Sequence, residues 1–393
     1  MNTDKLLADA RAMQDRIVAW RRDFHQHPEL GLEEVRTSGI VANEVERLGY
    51  TVRRGVAKTG VVADLDVPGA EGRLLLRADM DALPVQENSG EEFTSVNEGK
   101  AHLCGHDSHT AMLLGTANLL MAYREELQSS VRLMFQPSEE RTPGGAIVMI
   151  EEGVLDGIDL ALAIHVFSAQ QAGRWGLIPG AAMAATDALD ITITGRGGHA
   201  ATPEVCIDPV VAAAQTIMNL QTVMSRRIRP HDCGVLSLCT IHGGDAFNVI
   251  PETVKIGGTL RTHSESARTQ AKTFIADTLK GVEVTTGVTI ELDYAAGYPA
   301  TVNDPEVIEA IRGTIVDLFG EGAPETIAKK FGGEDFSYVL ERVPGAMVFL
   351  GVGNAAKGIT AAHHNPGFRI DEDVLWQGTA LETVMALRHH AED

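Results

Sequence analysis

Apolar and polar positions change rhythm twice along the chain. In the first stretch, helix-period patterns over 4–26, 33–48 and 108–127 alternate with short, almost unbroken apolar runs: "GVVADLDV" (60–67), "RLLLRADM" (73–80), "VRLMFQ" (131–136) and "LALAIHVF" (160–167). Such runs fit strands buried on both faces, and the helices between them fit the crossovers of a mostly parallel sheet. Near residue 186 the rhythm becomes strict alternation. In "DALDITITG", Leu189, Ile191 and Ile193 share one face, and Asp190, Thr192 and Thr194 share the other. That is a strand with one wet face. A helix over 208–225, strands in "VLSLCTIHGG" and "ETVKIGGTLRT", a helix over 264–281 and the strand "VTIELDY" complete the order βαββαβ, the split βαβ or ferredoxin-like unit. After about residue 299 the first rhythm returns, with helices over 304–319 and 371–391 around the strand "AMVFLGVG" (346–353).

The expected fold is therefore α/β. A mostly parallel sheet domain with helices on both faces, 1–184 and 298–393, is interrupted by an inserted ferredoxin-like α+β domain, 185–297. A length of 393 residues agrees with two domains. The two crossings, near 183–186 and 296–300, hold Gly, Ala and Pro and permit hinge motion.

Composition narrows the partners. With 44% apolar and 22% charged residues the chain reads as globular, and a formal net charge of -21 argues against nucleic acid or an anionic membrane as partner. No apolar run approaches the roughly 18 residues of a membrane span. The N-terminal stretch is a charged amphipathic helix pattern, not a signal peptide. The four cysteines (Cys104, Cys206, Cys233, Cys239) form no CxxC pair, so a reducing cytoplasm is the expected compartment.

Chemistry-bearing residues collect where strands end, as ligands do in open α/β sheets. Asp79 and Asp81 close "LLLRADMDALP". "AHLCGHDSHT" precedes a helix, "LMFQPSEE" ends in Glu139 and Glu140, His165 sits in "LALAIHV", and "AAHHNPGF" carries His363 and His364. Singly, each has an ordinary explanation: a turn cap, a solvated pair, a satisfied core histidine, a small buried thiol. Jointly, Cys, His and carboxylate suit a borderline cation, and their surplus over about four ligands suggests two cations sharing bridges. Cys104 and His106 are expected to alternate along a loop, with Asp107 or Ser108 starting the helix and Ser108 helping to cap it. No Cys-His-Asn or Gly-x-Ser-x-Gly context supports a covalent nucleophile.

The stretches "FHQHPELGLEE", "RADMDALPVQE", "CGHDSHTAMLLG", "FQPSEE", "GRGGHAATPE", "NVIPETVKIGGTLRT", "GGEDFSYVLERVPG" and "HHNPGFRIDED" run in order over nearly the whole chain. With them the sequence resembles the M20 metallopeptidase family, in its amidohydrolase branch of hippurate hydrolases, N-acyl-amino-acid amidohydrolases and auxin-conjugate hydrolases. The resemblance implies a catalytic domain holding two divalent ions (Zn, Mn, Co or Ni) on Cys104, His106, Glu140, His165 and His364, with Cys104 bridging. It implies Glu139 as general base toward a metal-activated water and Asp81 as a supporting aspartate. Asp79 stands where related branches have a metal-binding His and is left out of the set. The inserted domain is implied to act as lid and dimerisation domain. His199 would stabilise the oxyanion in the partner subunit's site, and Asn248, Arg261 and Gly333 would line the substrate pocket.

The implied activity is cleavage of small N-acyl amino acids to a carboxylic acid and a free amino acid, by a homodimer or a tetramer. A dipeptidase or carboxypeptidase of the same fold, a hydrolase of an atypical small substrate, and a non-catalytic metal-binding relative are the alternatives. Four positions depart from the family pattern: Leu103 and Ser108 in the opening motif, Gly333 for a serine, and His363 for a leucine. Gly333 and His363 are the two expected to alter specificity. His25 and His27 are expected to be structural, and His102 and His109 to lie near the metals without binding them.

Overall fold

The computed structural model describes residues 2–232 and 234–391; Cys233 lies outside the described residues. The chain divides into two compact units. One comprises residues 1–180, 302–328 and 338–393, and the other 181–301 and 329–337.

The first unit is built on an eight-stranded sheet. Its order is Thr51–Val56, Gly60–Leu65, Ser130–Gln136, Arg73–Asp79, Leu160–Gln171, Gly345–Gly353, Trp175–Leu177 and Pro324–Thr326. The four central strands run parallel. Antiparallel pairs flank them: Thr51–Val56 with Gly60–Leu65, Gly60–Leu65 with Ser130–Gln136, and Gly345–Gly353 with Trp175–Leu177. The apolar runs are explained by burial on both faces. Leu74, Leu76 and Ala78 enter the main core, and Leu75, pointing the other way, is equally inaccessible. All seven residues of Ser130–Gln136 are buried.

Helices Gln14–Gln26, His106–Ala122 and Leu375–Arg388 pack against one another. Ile17, Phe24, Leu113, Leu120, Leu381 and Val384 join the core beside the strands. One long helix was expected over 4–26. The structure has two, Thr3–Ala12 and Gln14–Gln26, meeting at Met13, whose backbone N–H still bonds the carbonyls of Asp9 and Ala10. The apolar period runs through the junction, so periodicity alone does not mark it.

The second unit has a four-stranded antiparallel sheet, ordered Gly234–His242, Thr253–Thr262, Ala185–Thr194, Thr289–Ala296. With helices Pro209–Thr222 and Glu265–Thr286 it gives the βαββαβ order. Leu189, Ile191 and Ile193 are buried in its core with Ala212, Leu220 and Ile275. Asp190 and Thr194 on the alternate face are exposed. Both helices begin at side-chain caps: Asp208 accepts from the amides of Val210 and Val211, and Ser264 accepts from that of Ala267. Among the described residues, no helix is long and apolar enough to cross a membrane.

Candidate metal centre

The start of helix His106–Ala122 sets the centre. Gly105 precedes it at φ 97°, and a Cβ there would lie 2.3 Å from Val166 Cγ2. A side chain at this position would therefore clash with the strand that carries His165. The helix begins at His106 rather than at Asp107 or Ser108, so Cys104 lies before the left-handed turn and His106 in the first helical turn. Ser108 caps no free amide; its hydroxyl donates to the Gly105 carbonyl.

Two donor triads result, and both lie in the first unit. Cys104, His106 and His165 present ligand atoms within 4.8 Å of one another, and so do Cys104, Glu140 and His364. The thiol is common to both. Glu139 shares a third such group with His106 and Glu140. Donors around one ion at 2.0–2.3 Å necessarily sit within a few ångströms of each other.

The ring orientations are held from behind. His106 Nδ1 lies 2.9 Å from the Asp81 carbonyl and 3.2 Å from Asp81 Oδ1. His165 Nδ1 lies 2.7 Å from the Val166 carbonyl. A carbonyl can only accept, so each Nδ1 carries the proton and each Nε2 offers a lone pair toward Cys104. His165 Nε2 is 3.6 Å from Cys104 Sγ. Asp81 also uses Oδ2 to accept from the Glu140 amide at 3.0 Å, fixing two donors at once.

The donor set fits a pair of cations. His106 Nε2 and Glu140 Oε1 are inaccessible and lack a hydrogen-bond partner, a state natural structures rarely leave uncompensated. His364 Nε2 lies 3.2 Å from that Glu140 oxygen, within ion-pair reach but off the hydrogen-bonding direction. Thiol, imidazole and carboxylate together match a borderline divalent ion.

The donors also shift one another's protonation. Burial and Glu140 push the Cys104 thiol up, but the imidazoles of His106 and His165 outweigh them and hold it well below the usual range. Burial lowers His106, while Asp79, Cys104 and Asp81 together raise it well above an ordinary imidazole. Cys104 and Glu140 raise His364 to about 10.

Neighbouring groups are already committed. Asp79 Oδ1 bonds His109 Nδ1 at 2.7 Å, and Asp79 Oδ2 accepts from Arg77 at 2.7 Å. His109 Nε2 in turn accepts the Val166 amide at 2.8 Å. His363 Nδ1 reaches the Cys104 carbonyl at 3.2 Å, and its Nε2 accepts the Ser168 amide at 3.1 Å. His363 thus clamps the cysteine segment to the strand end, a part its sequence position did not disclose. Glu34, also not foreseen, accepts from the Ser138 amide at 2.8 Å, one residue before Glu139. His25 is buried between Asp107 and Glu87, while His27 bonds the Asp23 carbonyl. His102 is buried, its ring 6.4 Å from that of His25.

The remaining sequence-derived candidates lie in the second unit. Strand Gly198–His199 pairs with Val249–Ile250, and the Ala200 amide donates to the Asn248 carbonyl at 3.1 Å, so His199 and Asn248 are neighbours. His199 Nδ1 accepts the Ala201 amide at 3.0 Å, which leaves Nε2–H as an exposed donor. Arg261 is paired in register with Thr186. Gly333 packs against the same Thr186, where a Cβ would meet the Thr186 Cγ2 at 2.5 Å.

An open α/β sheet that carries two donor triads joined through one thiol defines a metal-binding α/β protein. The chain belongs to peptidase family M20/M25/M40, whose model matches residues 75–388. It is 37% identical to thermostable carboxypeptidase 1 of Saccharolobus solfataricus over 98% of both chains. It is 38% identical to N-acetyl-L-cysteine deacetylase of Bacillus subtilis, over 92% of this chain and 85% of the relative. Among solved structures, the YXEP protein of Bacillus subtilis, described as a dinuclear metal binding peptidase from the M20 family, superposes with a TM-score of 0.84. That match has 32% identity and covers 96% of this chain and 98% of the other.

Proposed function

We propose that this protein is a two-metal amidohydrolase that cleaves small N-acyl amino acids to a carboxylic acid and a free amino acid. The observation that carries the reading is the pair of triads sharing Cys104, with the Glu139 carboxylate within 4.8 Å of donors on His106 and Glu140. Cys104, His106, His165, Glu140 and His364 would hold the ions, which belong to the Zn, Mn, Co or Ni class. When bound, such ions supply Lewis acidity to an amide carbonyl and make a water acidic near neutral pH.

The chain's own groups do the rest. Glu139 takes the proton from the attacking water and returns it to the leaving nitrogen. Asp81 keeps His106 in the Nδ1–H tautomer and holds the Glu140 backbone. In this reading His199 donates from Nε2 to the oxyanion in a partner subunit's site. Its exposure and the fully exposed Phe247 beside Asn248 support association into a homodimer. Arg261 receives the substrate carboxylate, and Asn248 and Gly333 shape the pocket. The free Cys104, Cys206 and Cys239 support a cytoplasmic location.

A carboxypeptidase reading is favoured by the Saccharolobus relative. One experiment separates the two. Bound metal is measured first; then N-acetyl, N-benzoyl and long-chain N-acyl amino acids are compared with dipeptides, with Glu139→Ala as control. Turnover of acyl amides that falls at least about a hundredfold in the variant supports the proposal. Faster cleavage of dipeptides selects the carboxypeptidase reading, and amide cleavage that survives in the variant removes Glu139 as base.

A further inference from the structure

A second histidine–carboxylate cluster lies at the opposite ends of the same central strands. His389 Nε2 is 3.0 Å from Asp159 Oδ1, and His390 Nε2 is 2.5 Å from Asp159 Oδ2. The three donor atoms lie within 4.8 Å of one another. The two rings are 4.2 Å apart between centroids and inclined by 51°, so both Nε2 atoms converge on one carboxylate instead of stacking away from it.

The surroundings hold this convergence. His389 caps helix Leu375–Arg388, donating its amide to the Met385 carbonyl. His390 adopts φ 56°, a conformation a non-glycine residue rarely takes, and this turns its ring back toward Asp159. Asp159 Oδ1 is fixed by the Arg73 amide at 2.9 Å. Gly72 leaves the donor face open. A Cβ at that position would stand 2.2 Å from Asp159 Oδ2 and 2.6 Å from His390 Nε2. The side chains are reachable from solvent, with His390 43% and Asp159 38% exposed and His389 10%.

We propose that Asp159, His389 and His390 form a further cation site, taking one borderline divalent transition ion such as Zn2+ or Ni2+. Two imidazoles with one carboxylate select that class over the hard Mg2+ and Ca2+, which favour all-oxygen shells. Each ring would move its proton to Nδ1 and give the Nε2 lone pair to the ion, with water completing the shell. Asp159 precedes strand Leu160–Gln171, and Arg73 opens strand Arg73–Asp79. The ion would therefore pin the end of the last helix to the starts of two central strands. Its effect would be on stability rather than on hydrolysis.

The test uses the full chain, replete in its Cys104-centred metals, titrated with NiCl2 at pH 7.5 by calorimetry beside the double variant His389→Ala/His390→Ala. The native chain is expected to bind one more Ni2+ than the variant, and Ni2+ is expected to raise the Tm of the native chain alone. Hydrolysis should be equal in both. Asp159→Asn, which keeps both imidazoles, should weaken Ni2+ binding at least about tenfold with an unchanged circular dichroism spectrum. Equal Ni2+ stoichiometry and affinity in native and double-variant chains would overturn the proposal. So would an additional ion whose binding is lost on Cys104→Ala and kept in the double variant.

Discussion

The two ends of the parallel strands carry the same kinds of side chain and treat them differently. At the carboxyl ends, two of the three imidazoles in the Cys104 triads have the far nitrogen tied to a carbonyl: His106 to Asp81, His165 to Val166. At the amino ends, about 20 Å away along a seven-residue strand, His389 and His390 meet only Asp159 through their side chains, and no second partner holds either Nδ1 among the described residues. The rings of His106 and His165 cannot turn away from an ion, whereas those of His389 and His390, though their backbone is fixed, can rotate around one. A catalytic centre needs the former, because a small misplacement of the reacting groups is expensive in rate. A surface staple works with the latter.

The comparison breaks most severely at the thiol. Cys104 belongs to both triads, so Cys104→Ala is expected to empty or weaken both ion positions together and to lower kcat/KM by about a thousandfold or more. Metal analysis of the dialysed variant checks this; retention of both ions at native affinity would show that Cys104 does not bridge. Asp81→Asn is a smaller perturbation. It leaves the backbone carbonyl that holds His106 but weakens the carboxylate's contacts with the ring and the Glu140 amide. Metal affinity is expected to fall about 10–100-fold, and a titration with a competing chelator measures it.

The core also buries a carboxyl, Glu382. Burial pushes Glu382 up to about 8, against the lesser opposing effect of Thr116. The Thr116 hydroxyl has one proton and two acceptors in reach, the Met112 carbonyl at 3.1 Å and Glu382 Oε2 at 2.6 Å. A protonated Glu382 resolves this by donating to Thr116, which donates onward. Because the folded-state value lies above the ordinary 4.5, the folded chain holds the extra proton between these limits. Its contribution to stability is fully present below about pH 4.5 and is lost as pH rises toward about 8. Glu382→Gln removes that dependence and should stabilise the chain by up to about 5 kcal/mol at pH 8.5 relative to its effect at pH 4. Urea unfolding of both chains at the two pH values tests it, and an equal loss of stability in both would contradict a protonated Glu382.

Much of this arrangement was legible in the residue pattern, and the missing part has a common cause. Buried runs and strict alternation report how many faces of a strand are dry, which is why both sheets could be read from their apolar positions. The ligand candidates stood out because Cys, His and carboxylate recur at strand ends. What periodicity does not encode is which atom backs which ring. That His363 clamps the Cys104 carbonyl, or that Glu34 holds Ser138, depends on contacts 259 and 104 residues apart. The start of the helix at His106 depends on the close approach of Gly105 to Val166, a tertiary contact that no local propensity contains. Asp159 and the two terminal histidines are 230 residues or more apart, and "RHH" alone reads as a charged helix end.

The smallest expected effect is the sharpest test of the contrast. His390→Ala removes one ring from the amino-end cluster, and in metal-free buffer the loss is one partly exposed hydrogen bond to Asp159. Surface contacts of this kind contribute about 0–1 kcal/mol. Replacing His390 by alanine leaves the left-handed backbone conformation in place, so its strain does not offset the loss. Unfolding free energy should therefore fall by less than about 1 kcal/mol and kcat/KM should stay unchanged. Adding Ni2+ should widen the stability gap between the native chain and the variant, since an ion bound to the folded state stabilises it by mass action. A gap that stays constant as Ni2+ rises would reduce the amino-end cluster to an ordinary histidine–aspartate pair, and the two ends would then differ in kind rather than in rigidity.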